Sequence, residues 1–304
     1  MNPPERFLQM SDVLLGIIGG SGFYEMQELS NIREVTVDTP FGPPSDSYIL
    51  GSLGNREVAF LPRHGKGHSI PPTAINVKAN IWGFKYLGAK WLVSISAVGS
   101  MRDEIEPLHM VVPNQLFDRT RSRDLSFFTE PGLAVHIGMA EPFCTVLRAF
   151  LIESAIEAGA YVHPDGTYIC IEGPQFSTLA ESRIYQSWGV DVIGMTAIPE
   201  AKLAREAELP YATLAMATDY DVWKGEPVSL DMVIKNSKLN TEMAKRAIRI
   251  LSGKLPSNNS LSEASNALAS AINTSSSDVP DALKQKLDLL VGKYFDTSTQ
   301  DGDT

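Results

Sequence analysis

Apolar positions fall into short runs broken by glycine and proline in the first half of the chain. In the second half such runs alternate with helix-spaced stripes. Residues 13–18 are an unbroken apolar run ending in Gly19, Gly20, Ser21 and Gly22, the pattern of a buried strand entering a glycine turn. Segments 33–38, 47–51 and 57–61 are short and separated by Gly and Pro, which predicts a strand meander. Further strands are predicted over 91–96, 167–171, 191–194 and 211–217. After Glu141, Phe143, Val146, Leu147, Phe150 and Leu151 follow an i, i+3, i+4 spacing and predict an amphipathic helix. Thr178 and Glu181 have the spacing of a capping box, opening a helix that stops near Gly189. Pro199 and Glu200 open another, because proline fits a first helical turn.

A long helix is expected over 231–251, with its Lys and Arg in the later half, where they complement the helix dipole. Residues 252–280 are rich in Ser, Asn and Ala and are expected to be a mobile connection, with 261–272 as an alternative short helix. A terminal amphipathic helix is expected over 283–294. The alternation of strands and helices predicts an α/β fold, a single domain over 12–295 with a mixed sheet flanked by helices. Residues 1–11 and 296–304 are expected to be flexible tails.

Composition narrows the function. Across 304 residues, 26 Lys+Arg against 36 Asp+Glu give a net charge of −10, so no overall positive field exists to hold nucleic acid. The two cysteines, Cys144 and Cys170, are too few for a disulfide framework, and no apolar stretch reaches a membrane span. A cytoplasmic protein that meets neither nucleic acid nor membrane is expected. One basic pocket for a small anion remains compatible with the acidic whole.

The glycine turn fits no standard nucleotide motif. Glu25 stands where a dinucleotide fingerprint needs its third glycine, no Lys-Ser/Thr follows, and Phe23 replaces the last glycine of a nucleophile elbow. What remains is the Ser21 hydroxyl between glycines at a strand end, either a plain tight turn or an anion cradle. Arg63, His64, Lys66 and His68 lie in one Gly-bounded loop. Arg63 offers a planar fork for an oxyanion and His64 a second donor, while a solvated basic loop is the plainer alternative. His64 and His68 have a metal-like spacing, but Gly65 and Gly67 oppose a helix and no third ligand is evident, so no metal is expected. Ser94, Ser96, Ala97 and Gly99 close the 91–96 strand with small residues, by close packing or as a third strand end facing one anion. Asp219 and Asp221 follow the 211–217 strand; if still extended they point the same way, as turn aspartates or as acceptors for a ligand's N–H groups. Phe176 is either core or a stacking surface for a flat ring.

Together these segments resemble the purine nucleoside phosphorylase superfamily, most nearly its trimeric, methylthioadenosine-cleaving branch. The resembling stretches include GIIGGSGFY (16–24), LPRHGKGH (61–68), SAVGSMRDEI (96–105), HIGMAEPFC (136–144), IEGPQFSTLAES (171–182) and 193–224, spanning nearly everything from 16 to 233. The resemblance implies a twisted mixed sheet, a homotrimer, and no cofactor beyond inorganic phosphate as co-substrate. It implies phosphate-dependent cleavage of 5′-methylthioadenosine to adenine and 5-methylthioribose 1-phosphate. By position, Ser21, Arg63, His64, Ser96, Ala97 and Thr196 would bind phosphate. Phe176, Met195, Asp219 and Asp221 would hold the nucleoside. His136, Leu230 and Val233 would line the 5′-alkylthio pocket, with His136 supplied by a neighbouring subunit. Ser21 stands where many relatives carry Thr, which preserves the hydroxyl.

The aspartates also speak for themselves. A 6-aminopurine offers a donor that a carboxylate accepts, whereas a 6-oxopurine offers an acceptor that the same carboxylate repels. Asp219 is expected to act as general acid toward purine N7, with burial beside Asp221 raising its pKa. An oxopurine phosphorylase, a phosphate-independent nucleosidase and a non-catalytic nucleoside-binding protein are the alternatives. The aspartate pair opposes the first, the oxyanion-type donors oppose the second, and joint retention of both residue sets opposes the third.

Overall fold

A computed structural model of the chain describes residues 12–20, 26–225 and 230–295, without the side chains of Leu230 and Met232. Ser21 and both expected tails therefore lie outside the described residues, as does the 5′-pocket assignment to the Leu230 side chain.

The meander forms as expected: β2 (Leu29–Val35), β3 (Tyr48–Leu53) and β4 (Arg56–Pro62) pair antiparallel in sequence. β1 (Leu15–Gly19), buried throughout, lies parallel to β4 on one side and to β5 (Trp91–Ser100) on the other. β5 runs four residues beyond its predicted end because Ala97 to Ser100 stay extended between new partners. Residues 92–99 pair parallel with β11 (Tyr211–Asp219), while Gly99 and Ser100 turn to pair antiparallel with β10 (Val192–Gly194). β10 continues parallel to β9 (Thr167–Ile171), and β9 to β7 (Gln115–Arg119). The short β6 (Met110–Val111) and β8 (Val162–His163) extend the β11 side. The result is one mixed sheet of 11 strands among the described residues. β5 sits where β1 diverges from β10, and open sheets take their ligands at such a split.

Helices cover the sheet. α1 (Val77–Tyr86) is capped by the Asn76 side chain, which accepts from the Ala79 N–H at 3.2 Å. Its sequence hides it, because Asn80 and Gly83 interrupt the apolar stripe; both are buried, and Gly83 leaves room for the Tyr48 ring. α2 (Thr145–Glu157) follows the predicted stripe, and α3 (Leu179–Ser187) has the complete capping box between Thr178 and Glu181. In α4 (Ala197–Glu206), Ile198 is extended (φ −108°, ψ 132°), so regular helix begins at Pro199 as predicted. α5 (Leu230–Lys254) and α6 (Asp281–Phe295) are the expected later helices.

The expectation of a mobile connection over 252–280 is overturned. Ala264, Leu268, Ala271 and Val279 are buried, Val135 and Ile272 form a β-bridge, and the Asn259 amide donates to the Lys90 carbonyl at 3.0 Å. Small residues here pack the segment tightly, with a four-residue helical turn (Glu263–Asn266) in place of a longer helix. No helix among the described residues is long and apolar enough to cross a membrane.

Candidate active site

The parallel strands β1 and β4 end together beside the middle of the longer β5, and the Arg63 N–H donates to the Gly19 carbonyl at 2.9 Å, tying those two ends directly. Beyond them opens a cavity of about 1010 Å³. Arg63, His64, Ser96, Ala97, Thr196, Met195, Phe176, Asp219, Asp221 and Val233 all line it. The residues expected to bind phosphate and those expected to hold the nucleoside, Ser21 apart, thus share one space. His136 does not line it; it lies exposed on a loop, its N–H bonded to the Ala271 carbonyl at 2.9 Å.

At one end, Arg63 is buried and its fork is held from behind. Nε and Nη2 donate to the two oxygens of Glu200, Nη2 also donates to Ser94 Oγ at 2.7 Å, and Nη1 donates to the Ile95 carbonyl at 3.2 Å. Burial opposes the Arg63 charge, but the Glu200 carboxylate more than compensates, leaving its pKa above the ordinary arginine value. His64 Nδ1 lies 2.8 Å from the Ile70 carbonyl, which can only accept, so Nδ1 carries the hydrogen. Burial, then the neighbouring Arg63 charge, pushes the His64 pKa down to about 4. The ring is neutral at physiological pH and its Nε2 is an acceptor. This corrects the expectation that His64 brings a second donor. Its ring stacks on His68 with centroids 4.1 Å apart. Ser96 Oγ joins Thr196 Oγ1 at 2.9 Å and the buried Tyr168 hydroxyl at 3.2 Å.

At the other end, the aspartates meet through a turn. β11 stops at Asp219, and Asp221 adopts φ 50°, so the two are not alternate residues of one strand as the extended reading supposed. Asp219 Oδ1 accepts from the Asp221 N–H at 2.9 Å and Oδ2 from Thr218 Oγ1 at 2.7 Å. Asp221 Oδ2 accepts from Ser182 Oγ at 2.5 Å. Burial raises both pKa values against these hydrogen bonds. The like charge of Asp219 adds to the rise of Asp221, a repulsion that the two carboxylates share.

Arg123 braces the wall between the two ends, donating to the Met195 carbonyl at 2.7 Å and the Glu172 carbonyl at 2.6 Å. Sequence reasoning missed several contributors. Glu200 and Ser182 fall within expected helices and carry no local motif, although a Glu in the otherwise apolar 197–201 stretch is a signal. Ser177 lines the cavity with a buried Oγ that has no hydrogen-bond partner among the described residues. Lys238, Thr241, Glu242 and Lys245 of α5 also line the cavity, and nothing in their periodicity distinguished them from a solvated helix face. Among the described residues no group of three or more His, Cys, Asp or Glu is arranged to hold a metal ion.

Residues 14–252 match the family model of the phosphorylase superfamily. The chain belongs to that superfamily. Within it the chain groups with the methylthioadenosine phosphorylases. It is 49% identical to the S-methyl-5′-thioadenosine phosphorylase of Koribacter versatilis, over 92% of this chain and 96% of that protein. It is 50% identical to that of Geobacter sulfurreducens, over 92% and 99%. Among solved structures it resembles a methylthioadenosine phosphorylase from an antarctic soil metagenomic library (TM-score 0.88, 43% identity, 92% of this chain and 99% of that one). The Schistosoma mansoni methylthioadenosine phosphorylase, solved in complex with adenine, superposes with TM-score 0.76 at 37% identity, over 79% and 91%. This phosphorylase is accordingly an enzyme on the purine nucleoside phosphorylase-like fold.

Proposed function

We propose that the chain catalyses phosphate-dependent cleavage of 5′-methylthioadenosine to adenine and 5-methylthioribose 1-phosphate. The observation that carries this reading is one cavity with oxyanion donors at one end and two buried carboxylates at the other. Arg63, Ser96, the Ala97 backbone and Thr196 receive phosphate, with Ser21 assigned to the same set by sequence. Neutral His64 complements them, because its Nε2 accepts the remaining hydrogen of a phosphate dianion. Phe176 and Met195 flank the base and ribose, and Asp219 and Asp221 accept the N–H donors of a 6-aminopurine.

As the glycosidic bond lengthens, positive charge builds on the ribose and negative charge on the purine. A phosphate oxygen attacks C1′ while the C1′–N9 electron pair passes to the base. Asp219 gives its proton to N7, so adenine leaves neutral. The raised pKa favours this role, since it enlarges the share of the group that carries a proton to donate. Val233, with Leu230, is assigned to the 5′-alkylthio group.

A homotrimer belongs to the same reading. The Phe117 and Trp188 rings, 5.3 Å apart and both exposed, and exposed Leu179 and Ile184 of α3 offer apolar surface for a second copy. His136, which does not line this chain's cavity, is assigned to that of a neighbouring copy.

The test is adenine release from methylthioadenosine with and without phosphate, beside methylthioinosine and inosine. Phosphate-dependent release with little action on the oxopurines is expected. Oxopurine preference would overturn the aspartate argument, and phosphate-independent release would overturn the anion site.

A further inference from the structure

Arg63 stands at the anion end of the cavity, yet most of its hydrogens point away from it. A guanidinium carries five N–H groups. Nε is spent on Glu200, Nη2 is shared among Glu200, Ser94 and the Ile18 carbonyl, and Nη1 gives one hydrogen to the Ile95 carbonyl. Among the described residues, the second Nη1 hydrogen is the one left for an anion in the cavity that Arg63 lines. A flexible side chain offering a single hydrogen is a poor anion ligand unless something holds it.

That something is buried behind it. Glu200 has no exposed surface and sits in the first turn of α4, four residues after Thr196. Its carboxylate grips Nε with one oxygen and Nη2 with the other, and Tyr211 fixes that second oxygen from the far side by donating to it at 2.9 Å. Thr213 Oγ1 in turn donates to the Tyr211 hydroxyl at 3.2 Å. The chain Thr213–Tyr211–Glu200–Arg63 thus runs from the interior of β11 to the anion end. Thr196 directly precedes α4, the helix that carries Glu200, so one short segment bears both Thr196 and the residue behind Arg63.

We propose that Glu200 is a positioning residue, which aims Arg63 at phosphate by a bidentate grip that Tyr211 locks in place. This rests on the phosphorolysis reading for the identity of the anion, but not for the geometry. Glu200 touches neither substrate. Its effect is confined to the anion end, because the aspartates are held by Thr218, Ser182 and the backbone.

The test uses Glu200→Asp, which keeps the charge but shortens the reach by about 1.5 Å, too short to hold both nitrogens. The Michaelis constant for phosphate is expected to rise roughly 10- to 100-fold, the scale of a misplacement of about 1 Å in a positioned group. Binding of methylthioadenosine without phosphate, measured by calorimetry, should stay within about twofold of the wild type. Tyr211→Phe removes one donor and little volume; it should move the phosphate constant the same way by a few-fold and leave the nucleoside alone. An unchanged phosphate constant in folded Glu200→Asp, or an equal loss for phosphate and nucleoside, overturns the proposal. If Glu200→Asp does not fold, Tyr211→Phe decides alone, and an unchanged phosphate constant in it overturns the lock. Direct phosphate binding by calorimetry on both variants separates this outcome from failure of the phosphorolysis reading, which wild-type turnover reports.

Discussion

Replacing Asp219 by asparagine pulls activity and stability in opposite directions, and the structure shows why the fold tolerates it. The carboxylate accepts from the Asp221 N–H at 2.9 Å and from Thr218 Oγ1 at 2.7 Å. Asparagine keeps its oxygen on the first of these and turns its amide nitrogen toward the second. The Thr218 hydroxyl then donates to the Val98 carbonyl, already 3.2 Å away, and accepts from the new amide. Every buried polar group keeps a partner, so none of the usual penalty for an orphaned donor or acceptor arises.

The lost charge was itself a burden. Burial raises the Asp219 pKa above 3.8. The folded chain therefore holds this proton at pH values where the unfolded chain has released it. The stability so contributed is full below 3.8 and is lost as pH rises through the folded value. At neutral pH Asp219→Asn should unfold at or above the wild-type temperature, and the difference should close in acid. Turnover should fall about 100- to 10,000-fold, or about 3–5 kcal/mol in the barrier, because an amide cannot serve as general acid. The assay is adenine release at saturating phosphate, with thermal unfolding on the same samples. A folded variant within about tenfold of wild-type turnover would refute proton donation by Asp219. A lower unfolding temperature at neutral pH would refute the burial argument.

Three further outcomes follow from single sites. The pKa of His64, held down at about 4 against an ordinary 6.5, makes the unfolded chain bind the extra proton. Wild-type stability should fall as pH drops from 6.5 toward 4, less steeply in His64→Asn, as thermal unfolding across that range would show. Glu206, pushed up from 4.5 to about 6 by burial, acts the other way and is less favourable above that range. Glu206→Gln should gain up to about 2 kcal/mol at pH well above 6 and nothing in acid, measured by urea unfolding. Gly194→Ala would place a Cβ 2.0 Å from the Tyr168 hydroxyl, which bonds Ser96. It should cost about 1–3 kcal/mol of stability and raise the Michaelis constant for phosphate, and an unaltered enzyme would contradict the close packing.

The strands that bear the site were legible because each is a nearly uninterrupted apolar run with a glycine or hydroxyl signature at its end, as β1, β4 and β5 are. β7 was not, because this edge strand is short and its polar Asp118 and Arg119 are half-buried while Phe117 is exposed, which leaves no apolar run or alternation to read. α1 was hidden by Asn80, a buried amide that donates to Ser45 Oγ at 2.9 Å, since a polar residue at a core position breaks the stripe. The packing of 252–280 is not legible in the composition, because Ser and Asn there spend their side chains on the fold. Ser262 Oγ, for example, meets the Cys144 thiol at 3.2 Å. Within the site, residues that face the cavity carried local motifs. Residues that act through them, Glu200 and Tyr211 above all, did not, because only the fold brings position 200 to position 63.

The same contrast explains how the cavity divides its charge. The buried cation at the anion end is already matched by Glu200, and His64 is neutral, so that end offers directed hydrogens rather than net positive charge. The other end holds two carboxyls with no cation among their hydrogen-bond partners, their charge resisted by burial. Arg63 with Glu200, neutral His64 and the two aspartates thus bring no excess positive charge of their own before phosphate enters, and phosphate adds negative charge. Such a field does little for a neutral nucleoside. It favours the state in which the ribose becomes cationic between phosphate and base, and interactions that strengthen only there accelerate the reaction instead of merely tightening binding. Glu200 serves that arrangement twice, by aiming Arg63 and by cancelling a charge that would otherwise oppose the developing cation.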